Sequence, residues 1–181
     1  MPITPDTKNW TWVLERSCDE CGFDSSTVEA QHVASLLRRN AAAWPAVLRR
    51  TTVRLRPDES TWSPLEYAAH VRDVFRLYEQ RLGLMQSSDD PLYPNWDQDA
   101  TAVSERYNEQ DPAAVSAELT AAADSMAAAL DQVEDWSRPG RRGDGVRFTI
   151  ESFAKYFIHD PIHHLHDVME RQAESAPQSI S

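Results

Sequence analysis

The sequence predicts an all-α protein, an antiparallel four-helix bundle with an irregular N-terminal segment. Glycine is scarce, with five in 181 residues, whereas a sheet-rich domain with many tight turns would need more of it. Four long segments carry apolar residues at helical spacing, and the connections between them are rich in polar residues and proline. We therefore expect an irregular segment over residues 1–25, the bundle over residues 26–174 and a polar tail over residues 175–181.

The predicted helices cover residues 26–50, 64–85, 112–136 and 149–173. The second helix has the clearest start, because Ser63-Pro64-Leu65-Glu66 combines a capping box with proline at the first helical position. Asp111-Pro112 gives the third helix a similar start. The connection at residues 87–99 is predicted to be a long loop, and residues 138–145 are predicted to form a turn.

The composition argues against several classes of function. The formal net charge is −11, and an acidic surface repels nucleic-acid phosphates and anionic membranes. No apolar run approaches the ~20 residues that span a bilayer, and the N-terminus lacks a signal-peptide pattern. Two cysteines are too few for a secreted disulfide framework. We therefore expect a cytoplasmic protein that acts on a small molecule and binds neither nucleic acid nor membrane.

Four of the six histidines lie within eight residues of the predicted fourth helix: His159, His163, His164 and His166. Because each helical residue advances about 100°, His159 and His163 lie on one face, where they offer two imidazoles to one metal ion. His70 lies in the apolar stripe of the second helix and would supply a third ligand. The spacing leaves other interpretations open, namely a hydrogen-bonded core histidine, surface decoration or a pH-sensitive patch.

Two segments resemble motifs of the DinB/YfiT-like superfamily. Residues 62–71 are similar to its second-helix motif, a tryptophan before the cap, a glutamate in the first turn and a histidine about one turn later. Residues 157–168 are similar to its fourth-helix motif, a His-x-x-x-His pair. The resemblance implies a divalent metal, zinc or nickel, bound by His70, His159 and His163. Some members use a low-molecular-weight thiol such as bacillithiol or mycothiol in S-transfer or isomerisation.

The resemblance implies an enzyme that activates a mycothiol-like thiol, or water, for transfer to a small electrophile. A three-histidine site leaves coordination positions open, and a metal-bound thiol loses its proton. His166 and Asp160 lie near enough in sequence to carry protons as catalytic groups. Tyr93 and Trp96 lie on the long loop, where they would either line the mouth of the site and contact the cofactor or pack over the end of the bundle.

Two other functions fit the same residues. One is a non-catalytic metal-binding or stress-associated protein whose bundle face forms a homodimer, which predicts an occluded site. The other is a metal-dependent hydrolase that needs no thiol. Activity with and without added thiol distinguishes the hydrolase from the thiol transferase.

Cys18-Asp19-Glu20-Cys21-Gly22 has the spacing of a zinc knuckle. A tetrahedral zinc site would need two further ligands, and His32 and an acidic residue are the candidates. The pair could equally be a dithiol that oxidises reversibly, or have no special role. A C-x-x-C spacing by itself does not choose among these interpretations.

Overall fold

The computed structural model describes residues 9–175, with backbone alone for 171–175; the predictions for residues 1–8 and 176–181 lie outside it. Its helices are α1 (Val33–Leu48), α2 (Pro64–Ser87), α3 (Gln98–Ser104), α4 (Pro112–Asp131) and α5 (Ile150–Ser175). Short 3-10 turns occur at Trp10–Leu14, Ser25–Thr27, Ala30–His32 and Tyr107–Glu109. Within the described range, none of the helices is both long and apolar enough to cross a membrane.

The four long helices form the predicted bundle. Helices α4 and α5 each pack against both α1 and α2, so α1 and α2 stand at opposite corners. The space between them is filled by large apolar side chains such as Trp44, Phe75, Met126 and Phe157, all of them buried. Burying a large apolar side chain of this kind stabilises the fold by about 1.5–3 kcal/mol. The result is a rigid frame on which a few polar side chains are held inside the protein.

Helix α2 begins where its capping box predicts. The Glu66 amide donates to Ser63 Oγ at 3.3 Å, and the Ser63 amide donates to Glu66 Oε2 at 2.8 Å. Burial alone would raise the pKa of Glu66, but the Arg56 guanidinium and the Ser63 groups hold it below its usual value. The ionised carboxylate therefore fixes the start of the helix that carries His70.

Helix α1 begins later than predicted. Over residues 26–32, which the prediction included in the first helix, the structure has two 3-10 turns instead, Ser25–Thr27 and Ala30–His32. Asp24 accepts hydrogen bonds from both the amide and the hydroxyl of Ser26, at 2.9 and 2.6 Å. Such side-chain bonds to the local backbone compete with helix formation, which apolar spacing alone does not reveal. The third predicted helix, α4, similarly ends at Asp131 instead of continuing to residue 136.

A small sheet forms where the sequence predicts only a loop and a turn. Strand β1 (Leu92–Tyr93) pairs in parallel with β2 (Pro139–Arg142), and β2 pairs antiparallel with β3 (Arg147–Thr149). Strands of two to four residues that include proline and arginine lack the β-branched alternation that identifies a strand. A Cβ at Gly140 would lie 2.7 Å from the Met85 side chain, so the sheet lies close against the end of α2.

Candidate metal centres

Helix α5 carries two pairs of potential metal ligands in adjacent registers. His159 and His163 form one i,i+4 pair, and Asp160 and His164 form the other. Because neighbouring helical residues point about 100° apart, the two pairs face different parts of the protein. The helix continues without a break through Pro161 between them. The 159/163 pair faces the segment before α1, and the 160/164 pair faces α2.

The first group, here the cysteine–histidine cluster, consists of Cys18, Cys21, His159 and His163. One ligand atom from each of the four lies within 4.8 Å of the others. Cys18 Sγ is 3.7 Å from His163 Nδ1. His159 and His163 are only 4% and 7% exposed, and Cys18 is buried. The fold thus brings two residues from the N-terminal knuckle against two residues of the last helix.

Aromatic rings cover the cysteine–histidine cluster, and its burial favours the neutral forms of His159 and Cys21. The Trp10 ring centroid lies 5.4 Å from that of His159 and 5.1 Å from that of His163, and Phe23 lies 5.5 Å from His159. Burial, together with the neighbouring imidazole, lowers the pKa of His159 to about 4. Burial likewise raises the pKa of Cys21 to about 11. At neutral pH and without a metal, this imidazole is neutral and this thiol keeps its proton.

The second group, here the histidine–aspartate cluster, consists of His70, Asp160 and His164. His70 Nε2 lies 3.3 Å from Asp160 Oδ1, and His164 Nε2 lies 3.7 Å from Asp160 Oδ2. His70 is fully buried, yet neither of its ring nitrogens makes a hydrogen bond of good geometry to any described residue. An unsatisfied buried polar atom is unfavourable by about 1–3 kcal/mol, so such a group needs an explanation. A metal ion on one nitrogen provides one.

The charge of Asp160 suits a metal ligand better than a proton donor. Burial alone would raise the pKa of this carboxyl group, but the imidazoles of His164 and His70 outweigh burial and hold it below its usual range. Asp160 is therefore ionised at neutral pH. The sequence prediction gave Asp160 a proton-carrying role, and the geometry places it instead between two imidazoles, in a position to bind a cation.

A cleft of about 720 Å³ opens beside the histidine–aspartate cluster. Asp160 and His164 form part of its wall, and His70 lies behind them. The Trp96 ring stacks on His70 at 5.3 Å with 8° between the planes, and Trp62 lies 5.2 Å from the same imidazole. Other residues of the wall include Tyr67, Tyr78, Arg81, Arg142 and Tyr156. The volume is in the range of pockets that bind small molecules.

The three predicted metal ligands do not come together as one group. His159 and His163 join the two cysteines, whereas His70 faces Asp160 and His164. In the structure the pair next to His70 is Asp160-x-x-x-His164, which has the same i,i+4 spacing as the predicted pair His159-x-x-x-His163. Carboxylates are also zinc ligands. A search for any His or Asp pair at this spacing would have found both candidates.

The two aromatic residues predicted at the mouth of the site have different positions. Trp96 lines the cleft, and its Nε1 donates to Thr101 Oγ1 at 2.8 Å. Tyr93 does not line the cleft, because its position in β1 turns the side chain into the core, where it is 1% exposed. Its ring packs 6.2 Å from Phe153 and 4.9 Å from the Arg81 guanidinium.

Two further histidines lie outside both clusters. His166, predicted to carry protons, points to its own helix, where Nε2 lies 3.2 Å from Glu170 Oε1. It is not part of the cleft wall, which removes the geometric basis for a catalytic role. His32, the predicted companion of the two cysteines, ends a 3-10 turn and is exposed. The imidazoles beside Cys18 and Cys21 come from α5 instead.

The fold and the two clusters define a four-helix bundle with histidine-based candidate metal centres between α5 and its neighbours. A sequence model of the DinB superfamily matches residues 36–168, which is most of the chain. The chain therefore belongs to the DinB superfamily, as the motifs in α2 and α5 predict.

The structure is similar to that of YfiT from Bacillus subtilis, which is described as a probable metal-dependent hydrolase with an unusual four-helix bundle topology. The two chains are 17% identical, the match covers 94% of this chain and 93% of the other, and the TM-score is 0.62. At this identity the likeness concerns the fold, and it confirms the predicted four-helix bundle. No curated protein matches the chain.

Proposed function

We propose that the protein is a metal-dependent enzyme whose divalent ion is bound by His70, Asp160 and His164 and activates a nucleophile toward a small electrophile. The observation that carries the proposal is the buried His70 imidazole, whose nitrogens lack hydrogen bonds of good geometry to the described residues, beside two further donors on a cleft wall. Membership of the DinB superfamily and the likeness to a probable metal-dependent hydrolase support a metal-dependent function.

The donor set fits a catalytic metal. Two imidazoles and one carboxylate suit zinc and nickel, and three protein ligands leave a coordination position open. When bound, the ion would act as a Lewis acid that lowers the pKa of a coordinated water or thiol. Because Asp160 and His164 belong to the cleft wall and His70 lies behind them, an ion held by these three residues would be accessible from the cleft.

The residues around the cluster would hold the ligands and bind the substrate. Trp96 stacks on the His70 ring and Trp62 lies 5.2 Å from it, so both side chains restrict the orientation of the imidazole. Arg81 and Arg142 lie on the cleft wall; Arg142 is paired with Asp144, whereas Arg81 Nε makes no hydrogen bond to a described residue. We therefore infer that the substrate presents an anionic group to Arg81.

The size of the cleft favours a thiol as the nucleophile. A volume of about 720 Å³ is much larger than the space for a water molecule, about 30 Å³. It can hold a low-molecular-weight thiol and a small electrophile together. The thiol would give its proton to the solvent, and its sulfur would form a bond to the electrophilic carbon as the bond from that carbon to the leaving group breaks and the leaving group departs with the electron pair. The likeness to YfiT favours the second candidate, hydrolysis by an activated water.

The test compares His164→Ala with His166→Ala, a matched control on the same helix outside both clusters. Metal content of protein purified without an affinity tag should fall by about one equivalent in His164→Ala only. Metal-dependent turnover of a panel of anionic electrophiles, assayed with and without mycothiol, should be lost in the same variant. Asp160→Asn, which preserves the shape of the side chain, should behave like His164→Ala. Unchanged metal content and turnover in both cluster variants would overturn the proposal.

The thiol assay separates the two candidate reactions. Turnover that requires added mycothiol supports S-transfer, and turnover that proceeds without any thiol supports hydrolysis. The non-catalytic alternative predicts metal bound by His164 without turnover in either condition. Because the measured quantity is the difference between variants, metal at the cysteine–histidine cluster does not affect the result.

A further inference from the structure

We propose that the cysteine–histidine cluster is a second metal centre, a structural zinc site of the Cys₂His₂ type that ties the segment before α1 to helix α5. This inference is independent of the proposed function, since it uses none of the residues His70, Asp160 and His164. It assigns a role to the C-x-x-C motif, which the proposed reaction leaves unexplained.

The ligands have the spacing of known structural zinc sites. Cys18-x-x-Cys21 and His159-x-x-x-His163 fall within the C-x₂₋₄-C and H-x₃₋₅-H spacings of such sites. Each pair is locally rigid, the first in a tight turn and the second on one turn of α5. The sequence supplies two half-sites that are far apart along the chain, and the fold brings them together.

The distances agree with tetrahedral zinc. A zinc-bound sulfur at about 2.3 Å and a nitrogen at about 2.1 Å, with a tetrahedral angle between them, lie about 3.6 Å apart. Cys18 Sγ and His163 Nδ1 are separated by 3.7 Å. All four potential donor atoms lie within 4.8 Å of one another, so small side-chain rotations suffice to close the coordination sphere.

The backbone of the knuckle is shaped to present two thiolates. Gly22 has φ +73°, a left-handed conformation that lets the chain reverse directly after Cys21. The Gly22 amide donates to the Cys18 carbonyl and the Cys18 amide donates to the Phe23 carbonyl, both at 2.8 Å. The turn places the sulfur atoms of Cys18 and Cys21 within 4.8 Å of each other.

The two imidazoles have the surroundings expected of zinc ligands. His163 turns Nδ1 to Cys18, and its other nitrogen, Nε2, lies 3.4 Å from Glu20 and 3.6 Å from Asp167. A metal-bound histidine usually donates its second ring N–H to a carboxylate, which fixes the ring. His159 Nε2 is buried and has no hydrogen-bond partner among the described residues, so it is available to a metal.

Four protein ligands define the role of this site. They fill a tetrahedral coordination sphere and leave no position for substrate, which distinguishes a structural zinc from a catalytic one. Two thiolates and two neutral imidazoles also balance the charge of Zn²⁺ in a buried place. Trp10 and Glu20 from the same segment line the cleft. The zinc would therefore hold one wall of the cleft in place.

The test uses cobalt as a spectroscopic probe in the reduced, full-length, untagged protein. Thiolate ligands give a sulfur-to-cobalt charge-transfer band in the near ultraviolet, which imidazole and carboxylate ligands do not give. We expect the band in the wild type and its loss in Cys18→Ser and Cys21→Ser. His32→Ala is the matched control, and His164→Ala separates this site from the histidine–aspartate cluster. Both of these variants should keep the band.

A measurement on the wild type avoids variants that fail to fold. Titration of the zinc-loaded protein with a mercurial thiol reagent should release one zinc equivalent as two thiols react. His159→Cys should also retain zinc, because a Cys₃His set is an accepted structural site. The absence of the charge-transfer band in the wild type, or mercurial titration without zinc release, would overturn the proposal. If the two cysteines form a disulfide in the purified protein and the reduced protein binds no cobalt, the proposal is likewise overturned, in favour of a redox pair.

Discussion

The two clusters share a helix and differ in what faces them. His159 and His163 meet two cysteines beneath Trp10 and Phe23, and both imidazoles also form part of the cleft wall. The neighbouring pair, one residue further along, meets a single histidine of α2 at the wall of an open cleft. A rotation of about 100° around α5 thus separates a set of four donors from a set of three. Donor number, more than histidine content, distinguishes a structural from a reactive centre.

We expect the cysteine–histidine cluster to contribute mainly to stability and the histidine–aspartate cluster mainly to activity. Among the described residues before α1, the regular elements are short 3-10 turns, and the segment contacts α5 through side chains that include Trp10 and Phe23. A metal ion coordinated by both the segment and α5 would add to the stability that this packing gives. Around the histidine–aspartate cluster, by contrast, α2 and α5 are already held by the bundle core, so loss of a metal there should change activity more than stability.

The largest expected effect on stability comes from removing the zinc of the cysteine–histidine cluster. A ligand at about a thousandfold its Kd stabilises a protein by about 4 kcal/mol, which corresponds to roughly 10 °C in the Tm of a domain of this size. Cys18→Ser combined with Cys21→Ser should lower the Tm by about this amount and remove the response to a chelator. Differential scanning calorimetry of the zinc-loaded proteins measures both effects.

His164→Ala is the control for this experiment, and its melting should still respond strongly to the chelator. The division of roles breaks down if the cysteine double variant keeps the wild-type Tm and chelator response. It breaks down equally if His164→Ala accounts for most of the loss.

The next effect concerns the pH dependence of the metal-free protein. Burial lowers the pKa of His159 to about 4 and lowers that of His163, so between about pH 4 and the ordinary value near 6.5 the unfolded chain binds more protons than the folded one. Stability should therefore fall as the pH decreases from about 6.5 toward 4, by at most about 1.4 kcal/mol per pH unit for each histidine. Urea unfolding of chelated protein between pH 7 and pH 4.5 measures the slope.

Asp160 does not interfere in this range. Its lowered pKa contributes stability that is present above the ordinary carboxyl value near 3.8 and is lost only in stronger acid. His159→Gln should reduce the slope, and His166→Gln, at a half-buried position outside both clusters, should leave it unchanged. A slope that is identical in wild type and His159→Gln would show that burial of this imidazole does not determine acid sensitivity.

The fold was largely predictable because its determinants are local. The Ser63 and Glu66 capping box and the apolar stripe of α2 lie in the sequence itself, and the structure places the helix start at Pro64 as predicted. The small sheet was not predictable, because its strands are short and pair only where two loops meet beside α2 and α5. The Asp24 cap that breaks up the predicted first helix is local, but it competes with an equally plausible helical pattern.

The candidate site was predictable in its residue types and not in its grouping. The spacing of His159 and His163 correctly marks a shared face, yet it does not show which element that face meets. The assignment depends on the rotation of α5, which is set by packing of residues such as Phe153 and Phe157 in the core. The contact between Cys18 and His163 joins two ends of the chain, and no local pattern encodes it.

The smallest expected effect is on stability at two glycines, which both have room for a Cβ but differ in backbone conformation. A Cβ at Gly83 or Gly22 would meet nothing within 4 Å, but Gly83 is helical in α2 and Gly22 has φ +73° in the knuckle. Gly83→Ala should raise the free energy of unfolding by about 0.5–1 kcal/mol, because alanine favours the helix and restricts the unfolded chain. Gly22→Ala should lower it by about 1 kcal/mol or more through strain in the left-handed conformation. Urea unfolding at neutral pH gives both values.

The same pair also tests the division between the clusters. Gly83→Ala strengthens the helix that carries His70 without touching either donor set, so zinc release by the mercurial should be unchanged. Gly22→Ala distorts the turn between the two thiols, so zinc should be released more readily even if the bundle itself remains folded. Equal zinc release from both variants would mean that the conformation of the knuckle does not matter to the metal, and the cysteine–histidine cluster would lose its structural rationale.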